Sequence, residues 1–279
     1  MALDLKRKLI VQGLLRVENS GFSNLVLSSL IDSDELSPRD KAFVSKVFYG
    51  TIERKITLNY ILQRFISKPL KKLDKEVLAI MQSALYQMLY MNSVPSHAAI
   101  NQAVSLCPIF KKTSAKGLVN AVLRKADGYD LLSADFADEK ERICVTYSIS
   151  GEIADIIMND YPEEYEDIIR NMFNTPALNI NINTTKISSA DYRKLLEEKE
   201  IPYKDTALEN CVEITASGAV TALPGFNEGY FFVQGITSRY AVQSAGIKPG
   251  DRVLDLCAAP GGKTFAAGII LNGTGSITS

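Results

Sequence analysis

The chain has 279 residues, of which 46% are hydrophobic and 23% charged, a balance that suits a globular protein of two or three domains and excludes a disordered chain. No apolar run nears the roughly 18 residues of a membrane span, and the N-terminal MALDLKRKLIVQGLL mixes charged and apolar residues where a secretory signal has an unbroken apolar core, so a cytoplasmic location is expected. Four scattered cysteines (Cys107, Cys144, Cys211, Cys257) and one histidine (His97) argue against a metal centre and a disulfide framework.

Net charge is −1, but it is unevenly spread. Residues 1–130 carry 19 Lys/Arg against 11 Asp/Glu, and residues 131–279 carry 12 against 21. A basic module followed by an acidic one suggests that the first meets a polyanion. Lys68, Lys71, Lys72, Lys111, Lys112, Lys116 and Arg124 are the candidate phosphate contacts, with a solvated lysine face as the plainer reading of each.

Residues 1–126 read as helical throughout. Ser37-Pro38 opens a helix, with Ser as cap and Pro in the first turn. Its apolar face runs through Phe43, Val47, Thr51, Leu58 and Leu62. Asp74 is placed to cap the next helix, through Val77, Leu78, Met81, Leu85, Met88 and Leu89. Pro95 opens another, and a last one covers Leu118, Val119, Val122 and Leu123 before Gly128. His97 falls at the start of the helix after Pro95, as a capping-turn or surface residue. Short connections between five or more helices make a bundle.

Residues 131–150 read as a helical linker. Two helices follow, about Ile153–Ile157 and Ile168–Met172, parted by Pro162. Leu178–Asn183 alternates as a half-buried strand. A helix over Ser189–Lys199 and strands at Cys211–Thr215 and Tyr230–Gln234 complete a small α+β domain. Next come a helix over Ser238–Ala245, a turn at Lys248-Pro249-Gly250, and a buried strand at Arg252–Leu256. A glycine-containing turn, a helix from Thr264 to about Leu271 and a second strand from Ser276 end the sequence. That order is the opening β-α-β of an open parallel sheet.

The turn lies in DRVLDLCAAPGGKT, Asp251 to Thr264. Ala258, Ala259, Gly261 and Gly262 let a ligand come close to the backbone, and the helix beyond them offers free N–H groups. A phosphate-binding P-loop ends in the same Gly-Lys-Thr, but its first glycine would stand at 257, which is Cys. A dinucleotide fingerprint is absent. S-adenosylmethionine, or a turn with no ligand, remain as readings of the residues alone.

Asp255-x-Cys257-Ala-Ala-Pro-Gly-Gly-Lys-Thr264 resembles the cofactor motif of the RNA cytosine-C5 methyltransferases. Val94-Pro95-Ser-His97-Ala-Ala-Ile-Asn101-Gln-Ala-Val and Lys116-Gly-Leu-Val-Asn120-Ala-Val-Leu-Arg124 resemble an antitermination factor NusB domain, as in the Sun/Fmu, or ribosomal small-subunit methyltransferase B, branch. Asn174-Thr-Pro, Ile182-Asn183-Thr, Pro224-Gly-Phe-Asn-Glu-Gly229 and Val233-Gln234 resemble that branch's small domain. The chain departs from the family at Gly235, where Asp is usual, at Ser238-Arg239, where Ser-Gln is usual, at Asn181, where Arg is frequent, and in having no Trp.

The resemblance implies a multi-domain protein. A NusB-like all-α RNA-binding domain would cover 1–130, a linker helix and small α+β domain 131–234, and the start of a Rossmann-like methyltransferase domain 235–279. It implies S-adenosyl-L-methionine at Cys257, Ala258, Ala259, Pro260, Gly261, Gly262 and Lys263. It also implies 16S ribosomal RNA of the small subunit as substrate, and a monomer. In the family a cysteine thiolate adds to C6 of cytosine and activates C5. Its cysteines follow Pro and Thr, whereas those here follow Leu106, Ile143, Asn210 and Leu256. The catalytic cysteines and the acidic ribose ligand are therefore expected beyond residue 279. The chain is expected to be a fragment without methyltransferase activity of its own. A non-catalytic NusB-like RNA-binding protein is the alternative, and a P-loop ATPase a third.

Overall fold

A computed structural model describes residues 4–19, 21–32, 36–174, 176–216 and 218–279. Residues 1–3 of the N-terminal reading and Thr175 of the Asn174-Thr-Pro motif lie outside the described residues. The chain divides into two compact units, one running to Phe173 and one from Asn174.

The first unit opens with α1 (Leu5–Glu18), α2 (Ser23–Ile31), α3 (Pro38–Glu53), α4 (Lys55–Phe65), α5 (Lys75–Tyr90), α6 (Ser96–Ile109) and α7 (Lys116–Ala126). Helix α5 is the axis of the bundle, packing on α1, α3, α4, α6 and α7. Ala79 to Gln87 are all buried, so the polar residues among them must be satisfied internally. Gln82 donates to Asn59 (2.7 Å), and Gln87 donates to the Ser83 carbonyl (2.9 Å) while accepting from Arg7 Nε (2.8 Å). Burial of Ile80, Met81 and Leu85, each at 0% exposure, contributes about 1.5–3 kcal/mol per side chain.

The face expected to run from Phe43 to Leu62 as one helix is two helices, broken at Arg54 (φ −93°, ψ 17°). No Gly or Pro marks the break, and the apolar stripe continues across it. The Arg54 guanidinium lies 4.3 Å from the centroid of Phe173 and 5.5 Å from that of Tyr90, and pairs with Glu53 at 3.4 Å. Ser37 caps α3 as expected, accepting from the Asp40 N–H. Asp74 precedes α5 without a capping bond, because its carboxylate pairs with Lys112 at 2.9 Å.

Residues 131–138 are turns and loop rather than helix, and α8 (Glu139–Tyr147) begins only at the cap Asp138, which accepts from Glu141 N–H at 2.7 Å. Helices α9 (Gly151–Asp160) and α10 (Tyr165–Asn171) join it around Ile143, Ile149, Ala154 and Ile169. Thr57 on α4 donates to the Val145 carbonyl, and Ile56 N–H donates to Ser148 Oγ (3.1 Å), so these helices pack on the bundle.

In the second unit, β1 (Leu178–Ile182), α11 (Ser189–Glu198), β2 (Tyr203–Asp205), β3 (Cys211–Ile214) and β4 (Phe231–Val233) build an antiparallel sheet of order β2-β3-β1-β4. Ile180 and Ile182 face Tyr192 and Leu196 of α11 in its core. The alternation in β1 predicts an outward, wet Asn181, yet Asn181 is 2% exposed, held by donating Nδ2 to the Gln234 carbonyl at 3.1 Å. Strand β2 is too short and polar to register as a strand in the sequence.

Helix α12 (Ile236–Ser244), β5 (Arg252–Leu254), α13 (Gly262–Leu271) and β6 (Ser276–Thr278) close the chain. The two strands are parallel, with Arg252 opposite Ser276 and Leu254 opposite Thr278. The expected buried strand at Arg252–Leu256 is shorter and wetter: Leu254 is 65% and Leu256 85% exposed. A parallel strand is buried when layers cover both faces. Here Val242, Ala266 and Ala267 form a small core with Ile247 and Ile277, while Leu254 stays outside it.

Candidate cofactor turn and basic end of the bundle

Strand β5 delivers the chain to Asp255, whose N–H still donates to the Thr278 carbonyl (2.9 Å), so the turn starts at the very end of the parallel pair. From there a single carboxylate organises the turn. Asp255 Oδ1 accepts from Cys257 N–H (3.1 Å), and Oδ2 accepts from Thr264 Oγ1 (2.6 Å). Together these bonds clamp the seven candidate residues Cys257 to Lys263 between a strand end and a helix start. The Ala259–Pro260 bond within the turn is cis.

Gly261 has φ +105°, a conformation that L side chains rarely adopt, so glycine is required there. Helix α13 starts at the next residue, with no side-chain cap and no acidic residue in its first turn. Its leading N–H groups and positive dipole end therefore face a space that suits an anionic group. Gly262 is packed against Gln234: a Cβ there would stand 3.3 Å from Gln234 Nε2. Lys263 and Cys257 are exposed. Beside the turn, a hollow of about 180 Å³ is lined by Val242, Ala245, Val253, Asp255, Lys263 and Thr264.

Asp255 and Thr264 are the residues that the sequence reading left out of the candidate set. Their signal was present, since they are the two ends of the ten-residue motif. What the sequence did not carry is that they bond to one another.

Burial pushes the thiols of Cys107, Cys144 and Cys211 upward. A nucleophilic cysteine needs the opposite, a stabilised thiolate. Exposed His97 lies in the first turn of α6. Among the described residues no cluster of three or more His, Cys, Asp or Glu is placed to hold a metal ion.

The basic candidates lie on the helical unit. Lys71 and Lys72 belong to a short 3-10 turn ahead of α5, and Lys116 and Arg124 to α7. Lys68, Lys71, Lys72, Lys111, Lys116 and Arg124 are all exposed. Lys112 is half-buried and engaged, paired with Asp74 (2.9 Å) and Glu76 (3.4 Å). Those carboxylates raise its pKa, the Asp74 hydrogen bond most of all. The same pair draws the segment after α6 onto the start of α5, gathering Lys71, Lys72, Lys111 and Lys116 at one end of the bundle. Arg124 Nε donates to Asn120 on its own helix (3.1 Å).

Comparison with known proteins finds two family matches, the second of which crosses the boundary between the two units. Residues 5–127 match the NusB family, and residues 153–221 match the Methyltr_RsmF/B-like, ferredoxin-like domain. The chain is 32% identical over 262 residues to the ribosomal RNA small subunit methyltransferase B of Proteus mirabilis, covering 92% of this chain and 60% of the relative. It is 30% identical over 284 residues to the probable ribosomal RNA small subunit methyltransferase B of Bacillus subtilis, covering 98% of this chain and 62% of the relative. The chain thus spans about 60% of the length of these relatives. Among solved structures it shares its fold with the crystal structure of PH0851, with a TM-score of 0.70 at 19% identity over 99% of this chain and 63% of that one.

Proposed function

Given that the chain belongs to the family of ribosomal RNA small subunit methyltransferase B, we propose that it serves cytosine-C5 methylation of 16S ribosomal RNA with S-adenosyl-L-methionine. The helical bundle binds RNA and the turn from Cys257 to Lys263 binds the cofactor. The β5-α13-β6 unit is read as the start of a Rossmann-like methyltransferase sheet. The chain acts as a monomer, without a metal and in the cytoplasm. Among the described residues no helix is long and apolar enough to cross a membrane.

The observation that carries this reading is the clamp of Asp255 on Thr264 and Cys257, which opens α13 without a cap behind a turn of small residues. The residues fit the cofactor. Gly261 and Gly262 leave the backbone bare, α13 offers N–H donors to a carboxylate, and the Gln234 carboxamide lies with Nε2 against Gly262 and its buried Oε1 without a hydrogen-bond partner. Bound there, S-adenosylmethionine supplies the methyl group from its sulfonium. Asp255 orients the turn by accepting hydrogen bonds from the Thr264 hydroxyl and the Cys257 N–H. Lys263, the second residue of α13, sets a cation beside the helix's free donors.

Methyl transfer to C5 also needs a thiolate at C6. Cys107, Cys144 and Cys211 are held as buried or half-buried thiols, and Cys257 lies within the cradle. These 279 residues are therefore expected to bind cofactor without methylating RNA. Isothermal titration with S-adenosylmethionine and with ATP tests the assignment. Binding of the first alone supports it, whereas binding of ATP alone would move the chain to the P-loop class.

A further inference from the structure

Gln234 sits just past β4 and is fixed through its backbone. Its N–H donates to the Asn179 carbonyl (3.2 Å), and its carbonyl accepts from Asn181 Nδ2 (3.1 Å). It is 8% exposed, yet its Oε1 is buried without a partner. An unpaired buried amide oxygen costs about 1–3 kcal/mol. Native proteins keep such a group where something else completes it.

The carboxamide lies against the first residue of α13. Any side chain at 262 would bring a Cβ 3.3 Å from Nε2, so it would press on the amide and shift it by a few tenths of an ångström. Two polar groups therefore adjoin each other: the donors of an uncapped helix start and a carboxamide that turns Nε2 to Gly262 and leaves Oε1 unpaired behind it. The nearby carboxylate of Asp255 is already engaged by Thr264 and Cys257. An α-amino acid carries a carboxylate and an ammonium on one carbon. It needs donors and an acceptor side by side, and an anion such as phosphate needs donors only. The last torsion of a carboxamide is broad and two-fold, so turning it exchanges oxygen for nitrogen at the same point.

We infer that Gln234 is a specificity-determining residue that recognises the amino-acid end of the cofactor at the start of α13. This rests on the reading of the Cys257–Lys263 turn as a cofactor cradle. Gln234 comes from the antiparallel sheet's own edge, so the sheet domain contributes directly to cofactor recognition through it.

The test is isothermal titration of the full chain with two ligands. S-adenosylhomocysteine has the amino-acid end. 5′-Methylthioadenosine keeps the adenosine and thioether without it. Gln234→Met preserves length and bulk while removing the carboxamide. Loss of one charge-assisted hydrogen bond predicts at least about tenfold weaker S-adenosylhomocysteine binding, methylthioadenosine binding changed by less than about twofold, and a melting temperature equal or higher. Equal weakening for both ligands, or a lower melting temperature with parallel loss, would make Gln234 a packing residue and overturn the inference. Unchanged binding of both would leave only an ordered water completing the amide, and would also overturn it. Wild-type chain that binds neither ligand would sink the cofactor reading itself. If Gln234→Met fails to fold, Gly262→Ala displaces the carboxamide from outside: the same ligand-selective loss is expected, and indifference would count against the proposal.

Discussion

Thr264 and Asp255 stand nine residues apart and are joined by a 2.6 Å hydrogen bond from hydroxyl to carboxylate. The bond closes the candidate turn from below, and it ties the helix start to the strand end. Thr264→Val keeps the shape and removes the donor. It is expected to cost about 1–2 kcal/mol of stability and to weaken S-adenosylmethionine binding, while Thr264→Ser restores both. Thermal melts and titration of the three proteins decide it; undiminished binding by Thr264→Val would remove the clamp from the account.

The helical unit has an equally tight point at Gly50, where an added Cβ would collide with Cζ and the hydroxyl of Tyr86. The Tyr86 ring is itself stacked on Tyr90 at 5.2 Å, so it has nowhere to retreat. Gly50→Ala is expected to destabilise the chain by about 1–3 kcal/mol, as overpacking does. Denaturant unfolding measures it, and a stability equal to wild type would show that the ring can swing aside.

Acid should loosen the α8–α10 region before the bundle. Arg142 bridges Glu139 (2.6 Å) and Glu166 (2.8 Å), with Tyr165 and Tyr147 donating to the same carboxylates. The Arg142 hydrogen bonds hold Glu139 down at about 2 and lower Glu166 as well. A carboxylate depressed in the folded state stabilises it above its unfolded pKa, and that contribution is lost as pH falls through the folded value. The region should therefore weaken between about pH 4.5 and pH 2. Hydrogen exchange of 139–171 against pH reads this directly, and Arg142→Met should abolish the pH dependence in that window.

RNA binding by the bundle should depend on salt. Removing Lys71 and Lys72 together is expected to flatten the slope of log K against log salt by about 1.4 for single-stranded RNA. Lys112→Ala should act differently, because it breaks the pairs with Asp74 and Glu76 and so lowers stability more than it alters the slope. Filter binding across a salt series separates the two, and an unchanged slope in the double variant would move the RNA face elsewhere.

Much of this molecule was legible in its sequence wherever a local rule had a clear physical source. Ser37-Pro38 starts α3, Pro95 precedes α6, the L-N-I-N-I alternation is β1, and the small residues around Gly261 make a turn before a helix. The rest depended on partners distant in sequence. The break at Arg54 has no Gly or Pro to announce it, and its side chain packs on Phe173, over a hundred residues later. Asn181 reads as outward until Gln234 offers it a carbonyl. Asp74 looks like a cap until Lys112 arrives. At the candidate site the residue types were visible, while the bond between Asp255 and Thr264 and the unpaired oxygen of Gln234 appear only in three dimensions.

The margin of the antiparallel sheet formed by β2 is only three residues long, Tyr203 to Asp205, and its Lys204 lies 3.7 Å from Glu213 of the neighbouring strand. A stray extended chain seeking to join there would meet few unpaired backbone groups and a charged pair to desolvate. Self-association by strand addition is thereby discouraged, so concentrated solutions of this protein should not seed fibres along that border.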